Sequence, residues 1–294
     1  MKKVILLLVL CLFACSASDK NADIVNKTSP IPKIEDVRLP NADGIMVFYD
    51  DLITIDYSNS DEGYFMVKTN TSDHKRLKLS VSKDDMTYNY DINKDNEYEV
   101  FSFNMSDGSY TIKILENISD NKYSIKNSLG IDVLLNDELL PYLYPNQICN
   151  YDISTYSVIK SFEICDGLTT QFDRAKTVYE YVIDNIDYDW DKFEEVDGKY
   201  VIPNNDVTYE LKKGICFDYS SLMCSMLRSE DIACKIMTGY VEEGYHSWVE
   251  IYIDNIGWIN PRVYFESNKW TLLDPTFDAM DNKYDGEYQI KYEY

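Results

Sequence analysis

The spacing of hydrophobic residues changes midway along the chain, and this change constrains the fold more than any other feature. Between residues 45 and 145, apolar and polar residues alternate in short segments such as RLKLSVS, MTYNYDI and SYTIKIL, separated by turn clusters of Asn, Asp, Ser and Gly. A period of two residues is typical of half-buried strands. Residues 45–145 are therefore predicted to form an all-β sandwich.

Beyond residue 145 the period lengthens to that of a helix. Thr170 and Asp173 approximate a capping box before one helical segment, and Gly214 precedes another. Apolar residues keep helical spacing in both segments: Phe172, Ala175, Val178, Tyr179, Val182, Ile183 and Ile186, then Tyr219, Leu222, Met223, Met226 and Leu227. Short strand patterns follow. The fold class is therefore predicted to be multidomain, with an α+β domain at residues 146–294 after the sandwich. The stretch from Leu139 to Leu168 is predicted to be a connection, with Pro141 and Pro145 marking the boundary.

Three residues in the second half form an ordered set suited to acyl transfer. Cys216 is predicted to lie in the first turn of a buried helix, where unpaired amides and the helix dipole favour a thiolate. His246 opens an alternating strand pattern, and the only other histidine, His74, lies in a polar stretch. Asp274 ends a short apolar run before Pro275. A thiol needs an imidazole as base, and the imidazole needs a carboxylate to orient it.

Each member of this set also has a structural explanation. Taken alone, Cys216 is more typical of a small buried apolar residue, and His246 of a hydrogen-bonded strand histidine. Their order and the predicted elements that carry them favour catalysis. The backbone amide of Cys216 is one candidate donor to an oxyanion, and the sequence does not identify a second.

The other cysteines and the acidic turns do not indicate a cofactor. Cys224 and Cys234 are predicted to lie in the core, and a disulfide between Cys149 and Cys165 stays open. The absence of a CxxC pair or a His/Cys cluster argues against zinc. The acidic turn at Asp91, Asn93 and Asp95 begins like a calcium loop. It lacks the glycine and the glutamate that such a loop requires. We therefore expect neither a metal nor an organic cofactor.

The segments around the ordered set resemble the transglutaminase-like superfamily of papain-type folds. The family's nucleophile helix and the strand after it are similar to GICFDYSSLMCSMLRSEDIACKIMTGY. Its histidine strand is similar to YHSWVEIYI, and its aspartate strand is similar to WTLLDPTF. The resemblance covers residues 165–280. The resemblance implies that Cys216 is the nucleophile, His246 the general base and acid, and Asp274 the orienting carboxylate. It implies a thioester formed with protein or cell-wall peptide amides and resolved by water or by an amine.

The N-terminus predicts where such chemistry takes place. Residues 1–15, MKKVILLLVLCLFAC, resemble a bacterial lipoprotein signal with Cys15 as the lipid acceptor, because the apolar run is too short to span a bilayer. Residues 16–44 are polar and contain three prolines, which predicts a flexible tether. We expect an extracytoplasmic protein anchored to the bacterial membrane by lipid, with simple secretion as the alternative.

Charge and aromatic content limit the partners. The chain has 51 acidic and 28 basic residues, a net charge of −23, so nucleic acid is an unsuitable partner. Tyr188, Trp190 and Phe193 lie in an acidic loop before Cys216, where they either shape a substrate cleft or pack at a domain edge. The alternative to catalysis is a surface lipoprotein that binds a wall polymer or a partner protein through the same domains.

Overall fold

A computed structural model describes residues 28–93, 95–196, 199, 201–241, 244–259 and 289–294. Two four-stranded antiparallel sheets form its N-terminal half. The first sheet has the order β1-β2-β3-β6, with β1 (Val47–Tyr49), β2 (Ile53–Asp56), β3 (Tyr64–Thr69) and β6 (Glu99–Ser102). The second has the order β5-β4-β7-β8, with β4 (Leu77–Lys83), β5 (Met86–Asp91), β7 (Gly108–Ser119) and β8 (Lys122–Val133).

The two sheets face each other across a shared apolar core. Alternate residues point inward and are fully buried, including Ile53, Ile55, Phe65 and Val67 of the first sheet and Leu77, Leu79, Ile112 and Ile114 of the second. Rings join the sheets, with Phe65 and Phe103 centroids 4.8 Å apart and Phe103 and Tyr110 centroids 4.9 Å apart. The all-β sandwich is confirmed, and the boundaries at residues 45 and 145 stay predictions.

Over the described residues, the C-terminal half combines five helices with a third antiparallel sheet. The helices are α1 (Tyr156–Ile164), α2 (Gln171–Asn185), α3 (Trp190–Val196), α4 (Asn205–Leu211) and α5 (Cys216–Ser229). The sheet has the order β13-β12-β11-β14, with β11 (Cys234–Val241), β12 (Gly244–Ile253), β13 (Gly257–Ile259) and β14 (Gln289–Glu293). A parallel pair, β9 (Asp187–Tyr188) and β10 (Lys213–Gly214), precedes α5. Three single 3-10 turns occur at Ile34–Asp36, Ser60–Glu62 and Leu140–Tyr142. The α+β class is confirmed.

Helix α5 is the centre of this half. Twelve of its residues are buried, from Asp218 to Ser229, and its apolar positions share one core with β11 and β12. The first helical segment behaves as predicted, since Thr170 caps α2 by accepting a hydrogen bond from the Asp173 amide at 3.0 Å. Among the described residues, no helix is both long and apolar enough to cross a membrane.

Two predicted connections contain regular structure. The stretch from Leu139 to Leu168, expected as a connection, includes α1, and the segment after Tyr188, expected as a loop, includes α3. Hydrophobic spacing does not predict helix α1, because two of its inward positions are serines that form hydrogen bonds to α5. Ser157 lies 2.8 Å from the Ser225 hydroxyl, and Ser161 donates to the Met226 carbonyl at 2.9 Å.

Arg228, near the end of α5, joins segments that are distant in sequence. Its buried guanidinium donates to the carbonyl of Cys234 at 2.8 and 3.0 Å, of Tyr144 at 2.7 Å and of Tyr294 at 2.8 Å. These carbonyls belong to β11, to the connection from the sandwich and to the residue after β14. One side chain therefore fixes the end of α5 against three separate parts of the fold.

We expect Arg228→Met to lower the free energy of unfolding by about 3 kcal/mol or more, because three buried carbonyls lose a charged donor. Arg38→Met is the matched control. Arg38 pairs with Asp231 at 3.1 Å near the surface, so its loss should cost less than about 1 kcal/mol. Urea unfolding of both variants measures the difference, and equal effects would contradict the central role of Arg228.

Glu230 follows α5 and carries a pH dependence. Burial raises its pKa from 4.5 to about 7, although Arg174 lies 3.5 Å away and Ser161 donates a hydrogen bond to it. Between these two values the folded state holds a proton that the unfolded state releases. Stability contributed by this proton is complete below the unfolded pKa and is lost as the pH rises through about 7.

Wild-type protein should therefore lose stability between pH 5 and pH 8 relative to Glu230→Gln, by an amount on the order of 3 kcal/mol. Urea unfolding midpoints at pH 5, 6, 7 and 8 test this. The control is Glu163→Gln, which changes an exposed carboxylate on α1 paired with Lys160. Parallel pH profiles for wild type and Glu230→Gln would refute the assignment.

Candidate active site

Cys216 is the first residue of α5, and a close backbone approach precedes it. Gly214 is buried, and a Cβ atom there would lie 2.7 Å from the Cβ of Asp218 and 3.2 Å from the Cγ2 of Thr208. Only glycine therefore allows the chain to enter the helix against its own first turn. Cys216 itself is partly exposed. The predicted placement of this thiol at a helix N-terminus agrees with the structure.

Asp218 closes this first turn. Its carboxylate accepts a hydrogen bond from the Ile215 amide at 2.9 Å and from the Lys192 ammonium at 2.7 Å, and its side chain is 2% exposed. A carboxylate in the first turn stabilises the helix dipole, but its negative charge opposes a thiolate two residues away. Lys192 of α3 offsets that charge. The Lys192–Asp218 pair therefore stabilises the turn, and the Lys192 ammonium balances the negative charge of the carboxylate near Cys216.

His246 lies on β12, where its register partner on β11 is Gly239. The histidine is buried, with 8% of its surface exposed. A Cβ atom at position 239 would collide with the carbonyl oxygen of Gln289 on β14. Gly239 therefore permits β14 to pair with β11 directly beside the strand that carries His246.

A relay of hydroxyl groups joins the helix to the histidine strand. Ser247 donates to the Ser220 hydroxyl at 3.0 Å, and Ser220 donates to the Cys216 carbonyl at 2.9 Å. Ser220 and Ser247 are both buried. Because Ser247 adjoins His246, the relay connects the backbone of the nucleophile candidate to the strand of the base candidate. Cys216 and His246 therefore lie at the same end of the packed pair of α5 and β12.

Tyr245 marks the solvent side of this end. Burial is the main reason that the pKa of Tyr245 is raised, and the neighbouring Cys216 raises this pKa by a smaller amount. Its hydroxyl lies 2.9 Å from the Thr238 hydroxyl, and its ring meets the ring of Tyr240 at 5.2 Å in an edge-on contact. Tyr240 and Tyr245 are register partners and both about half exposed, so they form a partly exposed aromatic pair at this end of the sheet.

The other described cysteines are sequestered. Cys149, Cys165, Cys224 and Cys234 are free thiols with 0–2% exposure. Burial raises the pKa of Cys165 to about 12 and holds the pKa of Cys149 and Cys234 above the usual range. The structure thus contains no disulfide between Cys149 and Cys165. Among the five cysteines that the structure describes, Cys216 is the one that reaches solvent.

Sequence reasoning missed several residues around this site. Lys192, Ser220 and Ser247 give no signal by type or spacing, whereas Asp218 could have been found as an acidic residue three positions after the residue that precedes the helix. Asp274 and Cys15 lie outside the described residues, so their roles stay predictions. Within the described part of the chain, no group of three or more His, Cys, Asp or Glu side chains could hold a metal ion.

The acidic turn considered for calcium has protein partners instead. Arg76 donates to both oxygens of Asp91, at 2.9 and 2.6 Å. His74 lies with Nε2 3.0 Å from Asp95. Asn93 donates to the Asp91 carbonyl at 2.9 Å. These contacts describe a hairpin turn held by side chains of the sandwich.

Comparison with known proteins gives one family match. Residues 160–275 match the family model of the transglutaminase-like superfamily, a span that contains Cys216, His246 and Asp274. A curated relative, the uncharacterized protein YebA of Bacillus subtilis (strain 168), is 30% identical over 139 residues, which are 39% of this chain. The match spans 18% of the length of YebA.

Two solved structures show more remote similarity. A proposed cysteine protease from Cytophaga hutchinsonii is 12% identical, with a TM-score of 0.35, over 75% of this chain and 84% of the other. The transglutaminase of red sea bream is 14% identical, with a TM-score of 0.29, over 72% of this chain and 48% of the other. The family model, together with the helix and sheet that carry its Cys and His segments, identifies the second half of the chain: residues 160–275 form a domain of the transglutaminase-like superfamily.

Proposed function

We propose that the protein is a thiol acyl enzyme that acts on protein or cell-wall peptide amides. One observation carries the proposal. The partly exposed thiol of Cys216 begins a buried helix at the same end of the helix and strand pair as His246, inside the span that matches the superfamily. Cys216 is assigned as nucleophile, His246 as general base and acid, and Asp274 as the carboxylate that orients His246.

The first half of the reaction forms a thioester. His246 removes the thiol proton, and the Cys216 sulfur attacks the amide carbonyl carbon to give a tetrahedral oxyanion. The C–N bond then breaks, and the protonated imidazole gives its proton to the departing amine. The acyl group remains on sulfur. Backbone amides in the first turn of α5 have no partner inside the helix, so they are candidate donors to the oxyanion, each worth about 3 kcal/mol.

The second half transfers the acyl group to an acceptor. His246 removes a proton from water or from a primary amine, which attacks the thioester carbonyl and expels the Cys216 thiolate. Water yields a carboxylic acid, as in a peptidase or a deamidase. An amine yields a new amide, as in a transglutaminase.

The site of action is proposed from residues 1–15 alone. Their signal-like pattern supports export and lipid attachment at Cys15, followed by a tether up to residue 44. A lipid-anchored enzyme would meet surface proteins and wall peptides, which supports the proposed substrates. Globomycin, which blocks lipoprotein signal cleavage, should increase the mass of the cellular protein if the assignment is right.

The reaction is tested by mass spectrometry of glutamine-containing peptides and wall peptides incubated with the protein and a labelled primary amine. We expect products in which the labelled amine or water has replaced ammonia, or in which water has cleaved a peptide bond, and we expect none of them with Cys216→Ser. Loss of activity should exceed 10³-fold, because the nucleophile is removed. Cys224→Ser is the control, since that thiol is fully buried. Equal product from wild type and Cys216→Ser would refute the proposal.

Alkylation by iodoacetamide tests the activation of the thiol without a substrate. At pH 7, Cys216 should react faster than the four buried cysteines, and His246→Ala should slow it. Lys192→Met should slow it by roughly three- to tenfold, because the Asp218 charge is no longer offset. Lys160→Met, which breaks an exposed pair with Glu163, is the control. Slow, equal labelling of Cys216 and the four buried cysteines would contradict an activated nucleophile.

A further inference from the structure

Three aromatic residues, one half-buried and two exposed, form a cluster next to the segment that leads into Cys216. The ring centroids of Tyr188 and Trp190 are 4.6 Å apart, those of Trp190 and Phe193 are 6.1 Å apart, and those of Tyr188 and Phe193 are 6.2 Å apart. Trp190 is 60% exposed and Phe193 is 51% exposed. We call these three residues the aromatic platform. Contiguous exposed apolar surface of this kind marks binding sites more often than isolated surface residues do.

Two contacts fix the platform relative to the candidate nucleophile. Strand β9 pairs with β10 so that Tyr188 lies opposite Gly214, and the Asp189 amide donates to the Gly214 carbonyl at 3.0 Å. On the other side, Lys192 of α3 binds Asp218 in the first turn of α5. The platform is therefore attached both before and after Cys216. Gly214 precedes Cys216 by two residues, about 7 Å of extended backbone, and Tyr188 lies one strand spacing, about 5 Å, from Gly214.

Acidic residues outnumber basic ones around the platform. Asp187, Asp191, Glu194 and Glu195 are exposed on β9 and α3. Of the nearby described cations, Lys192 has its ammonium held by Asp218, Lys213 lies opposite Asp187 on β10, and Lys199 follows α3. The outward field of the platform therefore favours a positive group and disfavours a carboxylate.

Aromatic ring faces and carboxylates both attract positively charged groups. A ring presents negative potential at its face and attracts ammonium or guanidinium groups, with Trp the strongest partner. A neutral apolar side chain would use the rings but not the surrounding carboxylates. A lysine or arginine uses both, because its methylene stem covers the ring while its charge meets the acids.

We propose that the aromatic platform binds a lysine or arginine side chain of the acyl-donor peptide, about two to four residues from the amide that Cys216 attacks. This rests on the proposed function, because it names the substrate class of the same site. The protein would thereby select cationic peptide segments. Trp190 and Tyr188 are the specificity-determining residues, and the exposed acids add long-range attraction.

Binding is measured first, with Cys216→Ala protein, so that the result does not depend on turnover. The probes are fluorescein-labelled peptides with one glutamine and, one to four residues to either side, a single Lys, norleucine or Glu. We expect the best Lys peptide to bind about five- to tenfold more tightly than its norleucine counterpart, and Glu peptides to bind most weakly. The Lys preference should decrease as salt rises.

The variants assign the preference to the platform. Adding Trp190→Ala should remove most of the difference between the Lys and norleucine peptides. Tyr49→Ala, which removes an exposed aromatic residue from β1 of the sandwich, is the matched control and should retain the difference. Equal affinity for Lys and norleucine peptides, or a preference that survives Trp190→Ala, would overturn the proposal.

Turnover by wild-type protein then separates this proposal from the proposed function. If no peptide gives a Cys216-dependent product while the Lys preference in binding remains, the acyl-transfer proposal fails and the platform stands as a peptide-binding surface. If Lys and norleucine peptides acylate Cys216 at equal rates and Trp190→Ala slows only attack by a free amine, the platform serves the acyl acceptor. That second result would overturn the assignment to the donor peptide.

Discussion

The arrangement of this fold depends on the hydrogen bonds that the buried guanidinium of Arg228 donates. A charge at this depth is costly unless hydrogen bonds satisfy it, and here the carbonyls of Cys234, Tyr144 and Tyr294 do so. Each carbonyl belongs to a different part of the chain. Helix α5 therefore cannot shift along the sheet without leaving a buried charge unpaired, and the position of Cys216 at its other end follows from this restraint.

The first turn of α5 is held in a different way. The Asp218 carboxylate and the Ile215 amide are paired within a small group of residues: Gly214 permits the close approach, Asp218 accepts from the Ile215 amide, and Lys192 balances the Asp218 charge. The Ser247 and Ser220 hydroxyls then tie this turn to β12. In the candidate site, polar contacts therefore fix the first turn of α5 to α3 and to β12, while Cys216 stays partly exposed.

Hydrophobic spacing is sufficient to predict the sandwich, helix α2 and helix α5, because apolar side chains recur at regular intervals on their buried faces. It fails where burial is polar. Ser157 and Ser161 face inward on α1, and Arg228 is buried on α5. Serine and arginine are residue types that sequence patterns place on the surface. Cys216 and His246 can be proposed from the sequence because thiol and imidazole chemistry narrows the choice of residue types. Lys192 and Ser220 cannot, since only the tertiary fold gives them partners.

The hydroxyl relay also has a consequence for chain entropy. Ser220 and Ser247 are 27 residues apart, whereas Arg228 and Tyr144 are 84 residues apart. Since loop-closure entropy rises with the logarithm of loop length, the longer closure costs about 1 kcal/mol more. The helix, hairpin and relay that bring the nucleophile and base segments to one end are thus a local unit, and the sandwich attaches to it through the more expensive, long-range contacts.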